Sequence, residues 1–238
     1  MKKKIRIKIF FNKIKILALK LLLVFFLFSL LQVLLLKWID PLISSVMLQR
    51  EFNLFSSDKK PISYQWYDYD DISNEITLAV IASEDQNFLY HFGFDFEQIG
   101  KAFKEKNKRG SLRGASTITQ QVAKNLFLWE GKSFIRKGLE AYYTILIEVF
   151  WSKRRIMEIY INIAEMGDNI FGVGMASKIY LKKIPSKLTK QESALIAAVL
   201  PNPRKFSVEN PSVYVRKRQA WILEQMHLLR GIFYIKNL

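Results

Sequence analysis

The chain is 238 residues long, 50% hydrophobic and free of cysteine, with two histidines and a formal charge of +16. That length supports one sizeable core once a membrane segment is set aside. The missing cysteines exclude disulfides, thiolate metal sites and a cysteine nucleophile, and His91 and His227 alone argue against a histidine metal cluster. The charge calls for an anionic partner, and nucleic acid, anionic headgroups and phosphorylated substrates all match its sign.

Residues 1–20 are a basic segment in which Lys2, Lys3, Lys4, Arg6, Lys8, Lys13, Lys15 and Lys20 are interleaved with Ile, Leu and Phe. From Leu21 to Leu36 only Ser29 and Gln32 interrupt an apolar run. Residues 16–38 are long enough to cross ~30 Å of hydrocarbon as a single transmembrane helix. Positive charge before the span and little just after it place the N-terminus in the cytoplasm and the remainder outside. A cleaved signal peptide is the competing reading, but the run is long and no small-x-small cleavage pattern follows it. Such a segment sets nucleic acid aside as a partner and favours the membrane. Residues 39–72 read as a juxtamembrane helix followed by an extended connection, with Tyr64-Gln65-Trp66-Tyr67 expected at the bilayer interface.

Residues 73–238 are the expected catalytic domain. Ile76, Ala79, Val80 and Ser83 share one helical face and deliver Glu84 and Asp85 to the helix's C-terminal end, presented rather than buried. Phe94 to Phe103 is a short helix, and Lys104 to Arg113, basic and glycine-bearing, is expected to be a mobile loop. Ser116 and Thr117 suit the cap of a helix through Gln120, Val122 and Ala123 that Gly131 breaks. Ser133 starts another, continuing to Val149. Lys153 to Ile163 is amphipathic, with Ile156, Ile159, Tyr160 and Ile163 on its buried side. Gly167, Gly172 and Gly174 bracket a turn around Phe171, Leu188 to Leu200 is an alanine-rich helix stopped by Pro201 and Pro203, and Pro211 to Leu229 is the last. No stretch alternates with period two for long, so the domain is predicted to be all-α, with any strand short.

Two cassettes carry the chemistry. Glu84-Asp85-x-x-Phe88-x-x-His91-x-Gly93 pairs acids, and Gly114-Ala115-Ser116-Thr117-Ile118-Thr119-Gln120-Gln121 leads through hydroxyls and amides to Lys124, a mixture suited to sugar and phosphate. With Arg136-Lys137-x-x-Glu140, Lys153-x-x-Ile156-x-Glu158-x-Tyr160-x-Asn162 and the proline-ended helix to Pro203, these motifs resemble, in order, those of the peptidoglycan glycosyltransferases, in particular the monofunctional, membrane-anchored branch. The resemblance runs from about Ile76 to the C-terminus. Ala115 stands where a second glycine is usual, Ile161 replaces a leucine, and Leu181 follows Tyr180 where an aromatic is common. The chain ends at Leu238, with no room for the transpeptidase domain of bifunctional relatives.

The resemblance implies a lysozyme-like, two-lobed glycosyltransferase domain that polymerises lipid II by attack of an acceptor 4-hydroxyl on the anomeric carbon of a lipid-pyrophosphate donor. Glu84 is then the general base. Glu140 steadies the leaving-group side through Arg136 and Lys137 or through a divalent cation, Mg or Mn, at the pyrophosphate. Lys101, Ser116, Gln120, Gln121 and Lys124 are expected to hold substrate, with Lys124 on phosphate, while Asp85, His91, Thr117 and Asn162 shape the site. Phe52, Leu54, Phe55, Trp129 and Phe134 are candidates for dipping into the membrane interface. Expected partners are lipid II, the lipid-linked glycan strand, the membrane, and other cell-wall synthesis or division proteins. A lytic transglycosylase or hydrolase of peptidoglycan, and an inactive lipid-binding scaffold, are the alternatives.

Overall fold

The computed structural model describes residues 2–54, 61–109, 116–229 and 231–238, with the backbone alone for 2–9, 53, 54, 103–109, 232 and 237. The chain divides into two units, Met1–Ile39 and Asp40–Leu238. The first is helix α1 (Lys2–Leu36), whose stretch Phe10–Leu36 has 27 residues and a mean hydropathy of 2.6. At ~1.5 Å per residue this gives about 40 Å of apolar helix, more than hydrocarbon thickness requires. It is compatible with a single-pass membrane anchor.

The second unit is helical and centred on α3 (Asn74–Glu84), capped by Ser73, whose side chain accepts the Glu75 N–H. Every α3 residue from Ile76 to Ala82 is buried. A helix apolar all round has no solvent face, so it must be packed on all sides. Helices α9 (Lys190–Val199) and α10 (Val213–Leu228) cover it. The acids expected to be presented at its end therefore emerge inside the domain, and Asp85 is buried.

A second layer comprises α5 (Ile118–Phe127), α6 (Phe134–Phe150) and α7 (Lys153–Ile163), with α5 packed on both of the others. Their starts follow side-chain caps, which satisfy free N–H groups of the first turn. Thr117 and Gln120 form a reciprocal capping box, Ser133 accepts the Arg136 N–H, and Ser152 accepts the Arg155 N–H. Helix α5 ends at Phe127, before Gly131.

Helix α4 spans Phe96–Arg109. The expected loop from Lys104 is thus helical to Arg109, because lysine, glutamate and arginine are good helix formers and no glycine intervenes before Gly110. Residues 110–113 of that loop, with Gly114, Ala115 and Phe55, lie outside the described residues.

The segment expected to be a juxtamembrane connection holds α2 (Ser45–Leu54) and strand β1 (Ser63–Tyr64), and belongs to the second unit. Strand β1 pairs in parallel with β3 (Ile170–Phe171), which pairs antiparallel with β2 (Glu165–Gly167). The aromatics assigned to the bilayer interface instead pack on the domain. Asn162, fully buried on α7, accepts the Tyr67 N–H at 2.9 Å and donates to the Tyr67 carbonyl at 2.8 Å. The Arg155 guanidinium lies over the Trp66 ring. Tyr67 also lies against α8 (Gly172–Leu181), where a Cβ on Gly174 would come within 2.4 Å of its ring.

Candidate active site

Glu84 is the last residue of α3, and its carboxylate has two ties. Its Oε2 accepts from Gln121 Nε2 at 3.0 Å, and its Oε1 faces Arg218 Nη2 of α10 at 3.3 Å. Burial raises its pKa above the ordinary carboxylate value, against the lowering pulls of Gln121, Arg218 and Ser83 and with a small push from Asp85. Desolvation favours the neutral acid while donors and the guanidinium favour the anion, which leaves a carboxylate with increased proton affinity. Its side chain keeps 14% exposure and lines a cavity of about 310 Å³.

Asp85 anchors the turn that follows. Its carboxylate meets His91 Nε2 at 2.8 and 3.0 Å and accepts the Ile118 N–H at 2.9 Å, placing negative charge at the N-terminus of α5. Lys153 Nζ donates to the His91 carbonyl at 2.7 Å and to Glu148 at 2.8 Å, and lies over the Phe88 ring. Gly93 closes the turn with φ +77°, and a Cβ there would sit 2.6 Å from the Thr144 methyl.

Cations gather along α5 and α6. Glu140, 3% exposed, holds Arg136 Nη1 at 2.7 Å on one oxygen and Lys137 on the other. Lys137 also reaches the Ser116 hydroxyl at 3.3 Å, and Arg136 Nε donates to the Gly131 carbonyl. Lys124 is different: its ammonium makes no hydrogen bond or ion pair among the described residues. Burial lowers its pKa, while Glu140 pulls it back up. A half-buried ammonium without an anion is costly on its own and suits an anionic ligand. It lines a second cavity of about 280 Å³ with Gln121 and Tyr160.

Helix α5 therefore joins the two carboxylates. Gln121 is bonded to Glu84 and takes a hydrogen bond from the Tyr160 hydroxyl at 3.2 Å, and Ser116, just before the helix, lines the Glu84 cavity while touching a cation of the Glu140 cluster.

Other expected site residues lie elsewhere. Gln120 is 5% exposed, and its side-chain oxygen accepts the Thr117 N–H at 3.0 Å. This amide serves the capping box, so it is corrected from substrate contact to helix start; Gln121, one position on, turns toward Glu84. Thr117 is the cap and also donates to the Gly93 carbonyl. Lys101 is exposed on α4, paired with Glu97 at 2.6 Å, and lines neither cavity. Among the described residues no group of three or more His, Asp or Glu side chains is arranged for a metal. Both Glu140 oxygens are engaged by cationic side chains, so the residues present do not fit a protein-held divalent ion.

Sequence reasoning missed Arg218, which is 134 residues from its partner in a basic stretch with no local signal. It also missed the Tyr160 hydroxyl and the buried Glu148, which Thr119 and Lys153 both contact.

A family model described as Transglycosylase matches residues 52–227. The chain is 49% identical over 210 residues to the biosynthetic peptidoglycan transglycosylase of Xanthomonas campestris pv. campestris (strain B100), covering 87% of this chain and 85% of the relative. It is 47% identical over 216 residues to the protein of the same name from Xylella fastidiosa (strain 9a5c), covering 90% and 89%.

Proposed function

Because the chain belongs to the transglycosylase family and is a peptidoglycan transglycosylase of cell-wall biosynthesis with that family's lysozyme-like fold, we propose that it polymerises lipid II, with Glu84 as the base. The acceptor's 4-hydroxyl gives its proton to the Glu84 carboxylate as its oxygen bonds to the donor's anomeric carbon. The bond from that carbon to the pyrophosphate oxygen breaks, and the electron pair leaves with the lipid pyrophosphate. Attack opposite the leaving group inverts the centre to a β-1,4 link.

Each residue answers a charge problem in that step. A base works best when its pKa approaches the working pH, and the buried Glu84 is shifted in that direction. Negative charge grows on the departing pyrophosphate, so fixed cations lower the barrier more than they stabilise the bound donor. Lys124, Arg136 and Lys137 supply those cations. Glu140 holds two of them at the start of α6. A glycosidase needs a protonated acid for its leaving group, whereas pyrophosphate departs without one. In this reading α1 anchors the enzyme where its lipid-linked substrate lies, with the basic N-terminus in the cytoplasm.

The carrying observation is that Glu84, with its increased proton affinity, is bonded from the end of α3 to Gln121 of α5, and that Lys124, which has no anion partner among the described residues, lies three residues further along that same helix. The raised Glu84 pKa also suits the proton donor of a lytic transglycosylase or hydrolase, and incubation separates the two. Purified full-length enzyme in vesicles with lipid II is expected to give polymer, and with finished peptidoglycan no fragments. Fragments without polymer would reverse the assignment.

A further inference from the structure

The cavity beside Glu84 has walls that the reaction as described leaves unused. Trp221 of α10 faces it and is 42% exposed, so part of its indole is open to a ligand. The Arg218 guanidinium lies 5.9 Å from the Trp221 ring centroid and pairs with Glu84, so the platform and the base share one support. Gln98, in the first turn of α4, is set by Asp95, whose carboxylate accepts the Gln98 N–H at 2.8 Å. Gln225 accepts from Gln86 Nε2 at 3.1 Å, which leaves its own amide nitrogen unused. Neither the Gln98 side-chain amide, the Gln225 amide nitrogen nor the Trp221 indole N–H has a partner among the described residues.

An aromatic face with one unengaged amide, on Gln98, and one open amide nitrogen, on Gln225, is the chemistry of a pyranose site. The C–H face of a sugar packs on an indole, and planar amides both donate to and accept from hydroxyl and N-acetyl groups. Charge selects the ligand class further: Glu84, Asp85 and Asp95 all border this cavity, which disfavours a phosphate and leaves a neutral sugar acceptable. At about 310 Å³ the space reaches the lower range of small-ligand sites.

We propose that this cavity is a sugar subsite in which Trp221 stacks on the terminal N-acetylhexosamine of the acceptor while Gln98 and Gln225 bind its polar groups and turn its 4-hydroxyl toward Glu84. The assignment of that sugar as the acceptor rests on the reading of Glu84 as the base.

The test uses the full chain in detergent and di-N-acetylchitobiose, a soluble β-1,4 disaccharide with a free terminal 4-hydroxyl, titrated by saturation-transfer NMR. Trp221→Ala should weaken binding about tenfold and raise the KM for lipid II, and Trp221→Phe should stay within about threefold of the parent. Gln98→Ala, on an exposed helix start where folding is not at stake, should weaken it about threefold. Unchanged titrations for Trp221→Ala and Gln98→Ala would overturn the subsite. So would a Trp221→Ala protein that loses affinity for anionic vesicles but not for the disaccharide, because the indole would then be a membrane contact. Glu84→Gln should bind the disaccharide like the parent and fail to polymerise. Parental polymerisation by that variant would instead remove the base, and with it the acceptor label, whatever the titrations show.

Discussion

Replacing Lys153 with methionine tests whether the turn beside Glu84 is held by a buried ion pair. Glu148 is 2% exposed at its side chain, and its Oε1 receives Lys153 Nζ at 2.8 Å and the Thr119 hydroxyl at 2.6 Å. Methionine keeps an unbranched apolar side chain of similar length but strands the carboxylate with one neutral donor. Breaking a buried pair from one side costs about 3–5 kcal/mol. Lys153 is 21% exposed, which admits some water and places the expected loss near the lower end, about 3 kcal/mol. For a domain of this size each kcal/mol moves Tm by about 2–4 °C, so a fall of about 6–12 °C is expected by scanning calorimetry in detergent. Glu148→Gln combined with Lys153→Met removes both charges, keeps an acceptor for Thr119, and should recover at least half of the loss. Because Lys153 also donates to the His91 carbonyl, the single variant should lower kcat for lipid II more than it raises KM. A fall of under about 2 °C, or a double variant no better than the single one, would refute this reasoning.

Arg218→Ala removes a cation that lowers the Glu84 pKa. A base works deprotonated, so activity falls as pH drops through that pKa; without Arg218 the pKa rises, and the acid limb of kcat/KM should move to higher pH. An unmoved limb would uncouple the pair. Lys124→Ala should weaken binding of a moenomycin-like phosphoglycolipid at least tenfold in a displacement assay, with Lys124→Arg intermediate; unchanged binding would remove Lys124 from the anion site.

Local signals were readable wherever the physics is local. Thr117, Ser133 and the proline stop after α9 are short-range devices, and the helices they bound lie close to where the sequence placed them. The failures come from distance and from degeneracy. Nothing near Tyr64 or Tyr67 indicates that a strand 107 residues later will pair with that segment, or that Asn162 will hold its backbone, so its aromatics resembled interfacial ones. Gln120 and Gln121 are the same residue type side by side, and only their angular positions on α5 send one to the cap and the other to Glu84. The α8 helix was missed because Gly172 and Gly174 read as a turn, although both glycines sit in its first turn. Arg218 and Trp221 became visible only when α10 folded back over α3.

Glu84→Gln keeps the shape of the side chain and its contact with Gln121 but can no longer take a proton. The most direct measurement is polymer formed from lipid II in vesicles by this variant, with phosphoglycolipid binding measured on the same preparation. The expected result is a loss of polymerisation of about 10²–10⁴-fold, the usual worth of a positioned base, with binding within about threefold of the parent. Polymer made at close to the parental rate would contradict the assignment of Glu84 as the base.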